Sequence, residues 1–132
     1  MWRKLGIRDG ARVATLNAPE HLDALLEGAP SGVDILSRVR PGIDLVLLFV
    51  TRRADLARRF PRAAASIAAD GGVWVAYPKK ASGRPSDLGF ATVQAMGLQA
   101  GLVDNKSCAV DDVWTAVRFV VRAADRPGWT SH

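Results

Sequence analysis

Lysine is scarce in this 132-residue chain: it stands at positions 4, 79, 80 and 106 only, in a total of 18 Lys and Arg. Two of the four are adjacent, in the stretch VWVAYPKKASGRPSDL (73–88), where an apolar strand gives way to a Ser/Gly/Pro loop. A lysine ammonium is a compact, strongly hydrated point charge on a flexible stem, unlike the rigid planar fork of arginine. Lys79 and Lys80 beside the Ser82 hydroxyl are chemistry for gripping a phosphate or a carboxylate. Asp87 could orient one of the amines or exchange a proton with a bound ligand. The same residues also read as a solvated loop that keeps a sheet edge soluble, with Asp87 complementing a helix N-terminus. Residue types alone leave both readings open.

Other reactive side chains are sparse. Cys108 sits in a strand pattern beside Ala109 and Val110, where a thiol packs as a small apolar group; Lys106 on the same face could lower its pKa. No histidine is placed to serve as its base, since His21 falls in the first turn of a helix and His132 is the last residue. Two scattered histidines and one cysteine make no metal-ligand spacing, so no metal is expected. Asn17, at the end of a strand, can hydrogen-bond a ligand or stabilise the turn at Ala18-Pro19. Arg52, Arg53, Arg58, Arg59 and Arg62 form a basic run on a helix, read as a wet outer face. Trp74 lies between Val73 and Val75 as a core residue, while Trp114 opens a strand where it either packs in the core or lies over the lysine loop.

Composition narrows the class. Hydrophobic residues make up 48% and charged residues 23%, the balance of a soluble globular domain. The longest apolar run, Leu45–Val50, is far short of the roughly 20 residues of a membrane span. The first residues lack the apolar stretch of a secretory signal, and a single cysteine precludes an internal disulfide framework, so a cytoplasmic protein is expected. The net charge of +5 favours anionic partners. No helix-turn-helix, zinc finger or aromatic-basic strand accompanies it, which argues against nucleic acid.

These side chains need a scaffold. The pattern predicts strands over 12–17, 33–37, 43–50, 73–77, 99–110 and 113–122. A helix starts at Ala18-Pro-Glu20, shows the stripe Leu22, Leu25, Leu26, and closes at Gly28. Thr51 is its natural cap for a helix over 52–59; Pro61 should kink or split that helix, with a second part over 62–69. Asp70-Gly-Gly72 reads as a turn, and a last helix is expected from Pro85 or Ser86 to Met96. Strands alternating with helices imply a mostly parallel sheet, and the tight Asp111-Asp112 corner makes the last two strands an antiparallel hairpin. Residues 1–122 are thus expected to form a single three-layer Rossmann-like α/β domain, with 123–132 as a frayed tail.

The segments GIRDGARVATLNAP, LFVTRRADL and AADGGVWVAYPK, with the final hairpin, resemble a trimmed class I methyltransferase core; that resemblance implies the strand order 2-1-3-4-6-5. RVATLNAP, YPKKASGRPSDL and GLVDNKSCAVDDVWTAVRFVVR are together similar to an uncharacterised bacterial family, domain of unknown function 3052, over Lys4 to Arg122, which implies a fold but no activity. Folds that bind dinucleotides or S-adenosylmethionine place a Gly-rich loop after the first strand. Here that loop reads Asn17-Ala18-Pro19-Glu20. The second strand ends Leu36-Ser37-Arg38 where such folds carry an acid for the ribose. Ordinary methyl transfer is therefore not expected, and no cofactor is.

In an open α/β sheet, ligands bind beyond the carboxyl ends of the strands where the strand order reverses. Asn17, Ser37-Arg38, Thr51 and Pro78-Lys79-Lys80 should meet there, with Cys108, Asp111 and Trp114 returning to the same edge. The expected ligand site is Lys79, Lys80, Ser82, Asn17, Thr51 and Trp114, with Asp87 as the weak catalytic candidate. A small anionic ligand or an acidic partner segment would bind there. Two further readings stay open: an enzyme acting on a phosphorylated or carboxylated metabolite, and a structural subunit that forms a homo-oligomer.

Overall fold

The longest apolar run in the chain becomes its most buried strand. In the computed structural model, which describes residues 5–19, 28 and 30–132, strand β3 (Ile43–Phe49) leaves only Asp44 exposed. It is flanked on one side by β1 (Arg12–Leu16) and then β2 (Asp34–Leu36), and on the other by β4 (Ile67–Pro78). All three pairings are parallel. β5 (Leu102–Ala109) and β6 (Trp114–Val121) complete the sheet as an antiparallel hairpin, with β6 against β4. The order is β2-β1-β3-β4-β6-β5, as the methyltransferase resemblance implied. A strand buried on both faces needs continuous apolar sequence, and β3 and the second half of β4 supply it.

Helices α1 (Arg53–Ser66) and α2 (Phe90–Gln99) lie on one face. Leu56, Phe60, Ala63 and Ala64 of α1 and Val93 of α2 share a core with Val46, Leu48, Val73, Val75 and Phe119 from the strands. Phe60 and Phe119 meet edge to face at 5.5 Å, a geometry that suits the ring quadrupoles. The opposite face gathers Leu5, Ile7, Val13, Leu47, Phe49, Trp74 and Trp114. Trp74 is the core residue the pattern suggests, its indole N–H donating to the carbonyl of Leu5 at 2.8 Å. The helix expected between β1 and β2 lies, with His21, outside the described residues.

Several boundaries differ from the sequence reading, each for a local reason. Pro61 neither splits nor ends α1. Its ring is exposed, and the turns on either side are anchored in the core by Phe60 and by Ala63 and Ala64, so packing overrides the lost backbone bond. Ile67 is extended (φ −69°, ψ 148°), so α1 stops at Ser66 and β4 begins six residues before Val73. Asp70-Gly71-Gly72 is not a turn between helix and strand but part of a bulged strand: pairing jumps from Ile43–Ile67 to Leu45–Gly72. A Cβ on Gly71 would stand 2.7 Å from the carbonyl oxygen of Asp44, and one on Gly72 2.8 Å from the Arg118 guanidinium. The glycines therefore admit close neighbours rather than reverse the chain.

The last helix starts at Phe90, not at Pro85 or Ser86, and runs three residues past Met96. Residues 83–89 are irregular because their polar groups bond elsewhere, as described below. The segment after β6, expected to fray, forms a 3-10 turn over Ala123–Gly128. The Trp129 indole N–H and the Ser131 hydroxyl both donate to the carbonyl of Ile67 at 2.8 Å, and the His132 amide donates to the Ala65 carbonyl at 2.8 Å. A half-buried tryptophan against the core explains why this segment docks. Among the described residues, no helix is long and apolar enough to cross a membrane.

Candidate functional site

Strand direction decides what meets at the carboxyl edge. β1, β3 and β4 run parallel, so Asn17, Val50-Thr51 and Lys79 emerge together, and β6 starts there at Trp114, paired with Pro78. Asn17 takes a left-handed conformation (φ 56°) that asparagine tolerates better than most residues, and its side-chain amide donates to the carbonyl of Phe49 at 2.9 Å. That bond ties the ends of β1 and β3 together where the strand order reverses.

The lysine turn is fixed by its backbone. The Lys79 amide donates to the Val113 carbonyl at 2.7 Å, extending the β4–β6 pairing by one residue. Lys80 opens a 3-10 turn, Lys80–Ser82, closed by Gly83 at φ 72°, a conformation that favours glycine. The Ser82 hydroxyl donates to the Lys79 carbonyl at 2.6 Å and accepts from the Arg84 amide at 3.3 Å. Ser82 is thus engaged in shaping its own turn. Lys79 is half-buried and Lys80 exposed.

Thr51 does not cap α1 with its side chain, and Asp87 takes the helix-capping part that was one of its two readings. The cap of α1 is Arg52, with no side-chain bond of its own, and Thr51 contributes its carbonyl, which accepts the Ser86 hydroxyl at 2.7 Å. Asp87 arrives from 34 residues away and accepts the Arg53 amide at 2.6 Å, capping α1 from outside. A carboxylate at a helix N-terminus satisfies an orphan donor and complements the helix dipole. The Asp87 carboxylate therefore complements a helix N-terminus, though of the preceding helix rather than its own. Because α2 begins only at Phe90, its free amides do not start beside Lys79–Ser82 as a Ser86 start would have placed them.

Trp114 is 5% exposed and meets Phe49 edge to face at 5.3 Å. It packs beneath the edge, and its indole N–H is buried with no hydrogen-bond partner among the described residues. The Asp111 carboxylate accepts the Val113 and Trp114 amides, both at 2.8 Å, which is why the Asp111-Asp112 corner is tight. Cys108 is half-buried against the Trp114 side of the sheet. No group of His, Cys, Asp or Glu that could hold a metal occurs among the described residues. The buried Tyr77 phenol, in β4 just before the lysine turn, is pushed above its ordinary pKa by desolvation.

Charge is distributed unevenly along the strands. Asp34, Asp44 and Asp70 stand toward the amino ends of β2, β3 and β4, whereas Arg38, Arg52, Arg53, Lys79, Lys80 and Arg84 follow their carboxyl ends. At the amino edge, a hollow of about 510 Å³ is lined by residues 6–11, Asp44, Asp70 and Arg118. Burial, then repulsion from Arg8 and Arg126, lowers the Arg118 pKa. A second hollow, of about 530 Å³, opens between the ends of β1 and β2 and the flank of α1, lined by Leu16, Ser37, Arg38, Val39, Arg58, Arg59, Arg62 and Ala63. The sequence reading treated the α1 arginines as a wet face and brought Ser37-Arg38 to the carboxyl edge without counting Arg38 in the expected ligand site. The spacings 58/62 and 59/62 group these arginines on α1, but no sequence signal brings Arg38 to them.

The sequence matches the family described as "Protein of unknown function (DUF3052)" over residues 3–123. The chain belongs to this family. No curated protein matches it. Solved structures with a similar fold include methyltransferases. An O-methyltransferase from neocarzinostatin biosynthesis, solved with S-adenosylmethionine and a naphthoic acid, is 14% identical with a TM-score of 0.63, over 86% of this chain and 49% of that one. Magnesium protoporphyrin IX methyltransferase from Synechocystis, with bound S-adenosylmethionine, is 8% identical with a TM-score of 0.59, over 86% and 71%. A TehB-like methyltransferase from Corynebacterium glutamicum is 10% identical with a TM-score of 0.56, over 86% and 82%. The chain therefore spans about half the length of the first of these, and at such identities the likeness concerns the fold alone.

Proposed function

We propose that this member of the family is a binding module that accepts a small anionic ligand or an acidic partner segment at the carboxyl edge of its sheet, with Lys79 and Lys80 facing the negative charge. The observation that carries this reading is the strand order, which reverses between β1 and β3, one strand away from the end of β4 that leads into the lysine turn. The cationic bias of that edge supports it. The methyl-donor devices of the fold have no counterpart in Asn17-Ala18-Pro19 or in Ser37-Arg38, which speaks for a ligand other than S-adenosylmethionine. Binding is favoured over catalysis because the Asp87 carboxylate is engaged at the start of α1.

The test is a thermal-shift screen of nucleotides, sugar phosphates and acyl anions at constant ionic strength. A ligand at about 100 times its Kd stabilises the fold by about 2.7 kcal/mol. The expected result is at least one hit whose shift is lost in Lys79→Ala/Lys80→Ala. No hit, or hits unchanged in that variant, refutes the reading.

A further inference from the structure

The hollow on the flank of α1 brings together cations from two distant parts of the chain. Arg38 follows β2, while Arg58, Arg59 and Arg62 project from α1, at the i, i+3 and i, i+4 spacings that share one helix face. Among the described residues, no acidic side chain lines it. Asp55 sits at 3.0 Å from Arg58, on the same helix. Arg59 is half-buried, and its Nε is shut off from solvent with no hydrogen-bond partner among the described residues. A buried donor left unmade is costly, and like charges gathered in one recess repel. Both penalties are relieved by the same occupant: an anion.

We infer that this hollow is a binding site for a phosphorylated small molecule, separate from the lysine turn. The guanidinium fork matches phosphate oxygens two at a time, which suits a recess built from arginines rather than lysines. The floor formed by Leu16, Val39 and Ala63 gives the non-phosphate part of the ligand an apolar surface. A volume of about 530 Å³ falls within the range that encloses small-molecule ligands. The hollow adjoins β1 and β2, and the lysine turn follows β4 on the far side of β3, so the two sites share no residue. The recess therefore does not depend on the function proposed for Lys79 and Lys80.

The experiment is calorimetric titration of the full chain with pyrophosphate at constant ionic strength, in the wild type, Arg38→Gln, Arg62→Gln and Lys79→Ala/Lys80→Ala. Arg38 and Arg62 are both exposed, so neither substitution is expected to disturb folding, and circular dichroism checks this. The expected result is that Arg38→Gln and Arg62→Gln each weaken pyrophosphate at least tenfold, while Lys79→Ala/Lys80→Ala changes it less than twofold. In parallel, pyrophosphate should protect Arg38 and Arg62 of the wild type from modification by phenylglyoxal. The inference is overturned if the wild type does not bind pyrophosphate, or if both arginine variants bind it as the wild type does. It is also overturned if the loss occurs only in the lysine variant, a result that would leave the lysine-turn reading standing.

Discussion

Gly97 allows α2 to lie against the sheet, and replacing it with alanine puts that geometry to a quantitative test. A Cβ built there would stand 2.1, 2.2 and 2.8 Å from three ring carbons of Phe119 in β6. Carbon atoms in contact prefer about 3.5–4.0 Å, so the ring or the helix must retreat by about 1.4 Å. The ring has nowhere to go: Phe119 is fully buried and held edge-on by Phe60. Alanine gains about 1 kcal/mol of helix propensity over glycine, whereas overpacking a filled core costs about 1–3 kcal/mol or more. With a clash this deep, the upper end applies, and Gly97→Ala should lose about 2 kcal/mol net. For a domain of this length, that lowers the Tm by about 8 °C. Urea melts of wild type, Gly97→Ala, Phe119→Leu and the double variant measure it, and the smaller residue at 119 should recover part of the loss. A Gly97→Ala protein as stable as the wild type would show that α2 does not sit on Phe119, and the placement of the loop that leads into α2 would fall with it.

Two further outcomes follow from single residues. Tyr77 is the only tyrosine in the chain, so its ionisation can be read alone as absorbance at 295 nm. Burial raises its pKa above the ordinary 10.0, so the stability it contributes is complete below pH 10 and lost as the pH climbs from there through the folded-state value, because the unfolded chain gives up the proton first. Tyr77→Phe should flatten that alkaline loss; a native midpoint at or below 10 contradicts the burial account. Asp87→Ala should cost about 1 kcal/mol in chemical denaturation, the usual worth of a cap, and Asp87→Asn, which keeps an acceptor, should cost less. An Asp87→Ala protein with undiminished stability would remove the capping role.

The sheet was legible because its signals are redundant. A run as short as Leu45–Val50, set off by Pro41-Gly42, reads as a buried strand rather than a helix, and the Asp111-Asp112 corner favours a hairpin. Misjudged boundaries share one cause: glycine, proline and serine act locally in ways that tertiary contacts override. Gly71 and Gly72 look like a turn but sit in a bulge that needs their missing side chains. Ser86 and Asp87 look like the start of a helix, yet the Ser86 hydroxyl donates to Thr51 and the Asp87 carboxylate accepts from Arg53, more than 30 residues back. At the edge, sequence reasoning could name Asn17, Thr51, Lys79 and Trp114 as neighbours because parallel strands force it. It could not assign their bonds, since partners such as the Phe49 and Val113 carbonyls carry no side-chain signature. The arginine recess was illegible for a different reason: a charged helix face looks the same whether it meets water or another cation, and only the position of Arg38 separates the two.

On the function proposed above, the switch point accounts for how the same fold would serve a different ligand. A glycine-rich loop leaves open space beside the first strand, and the backbone can then approach a cofactor closely. Asn17 adopts a backbone conformation glycine would favour, but keeps a side chain and reaches across to the Phe49 carbonyl. The polar group that could face a ligand is thereby engaged in joining β1 to β3. Cations stand instead to either side of that joint, Lys79 and Lys80 beyond β4 and Arg38 beyond β2. On the function proposed above, a ligand recognised by charge from the flanks needs no close backbone contact at the centre, so a loop without glycine and cations on either side of it suit the same occupant.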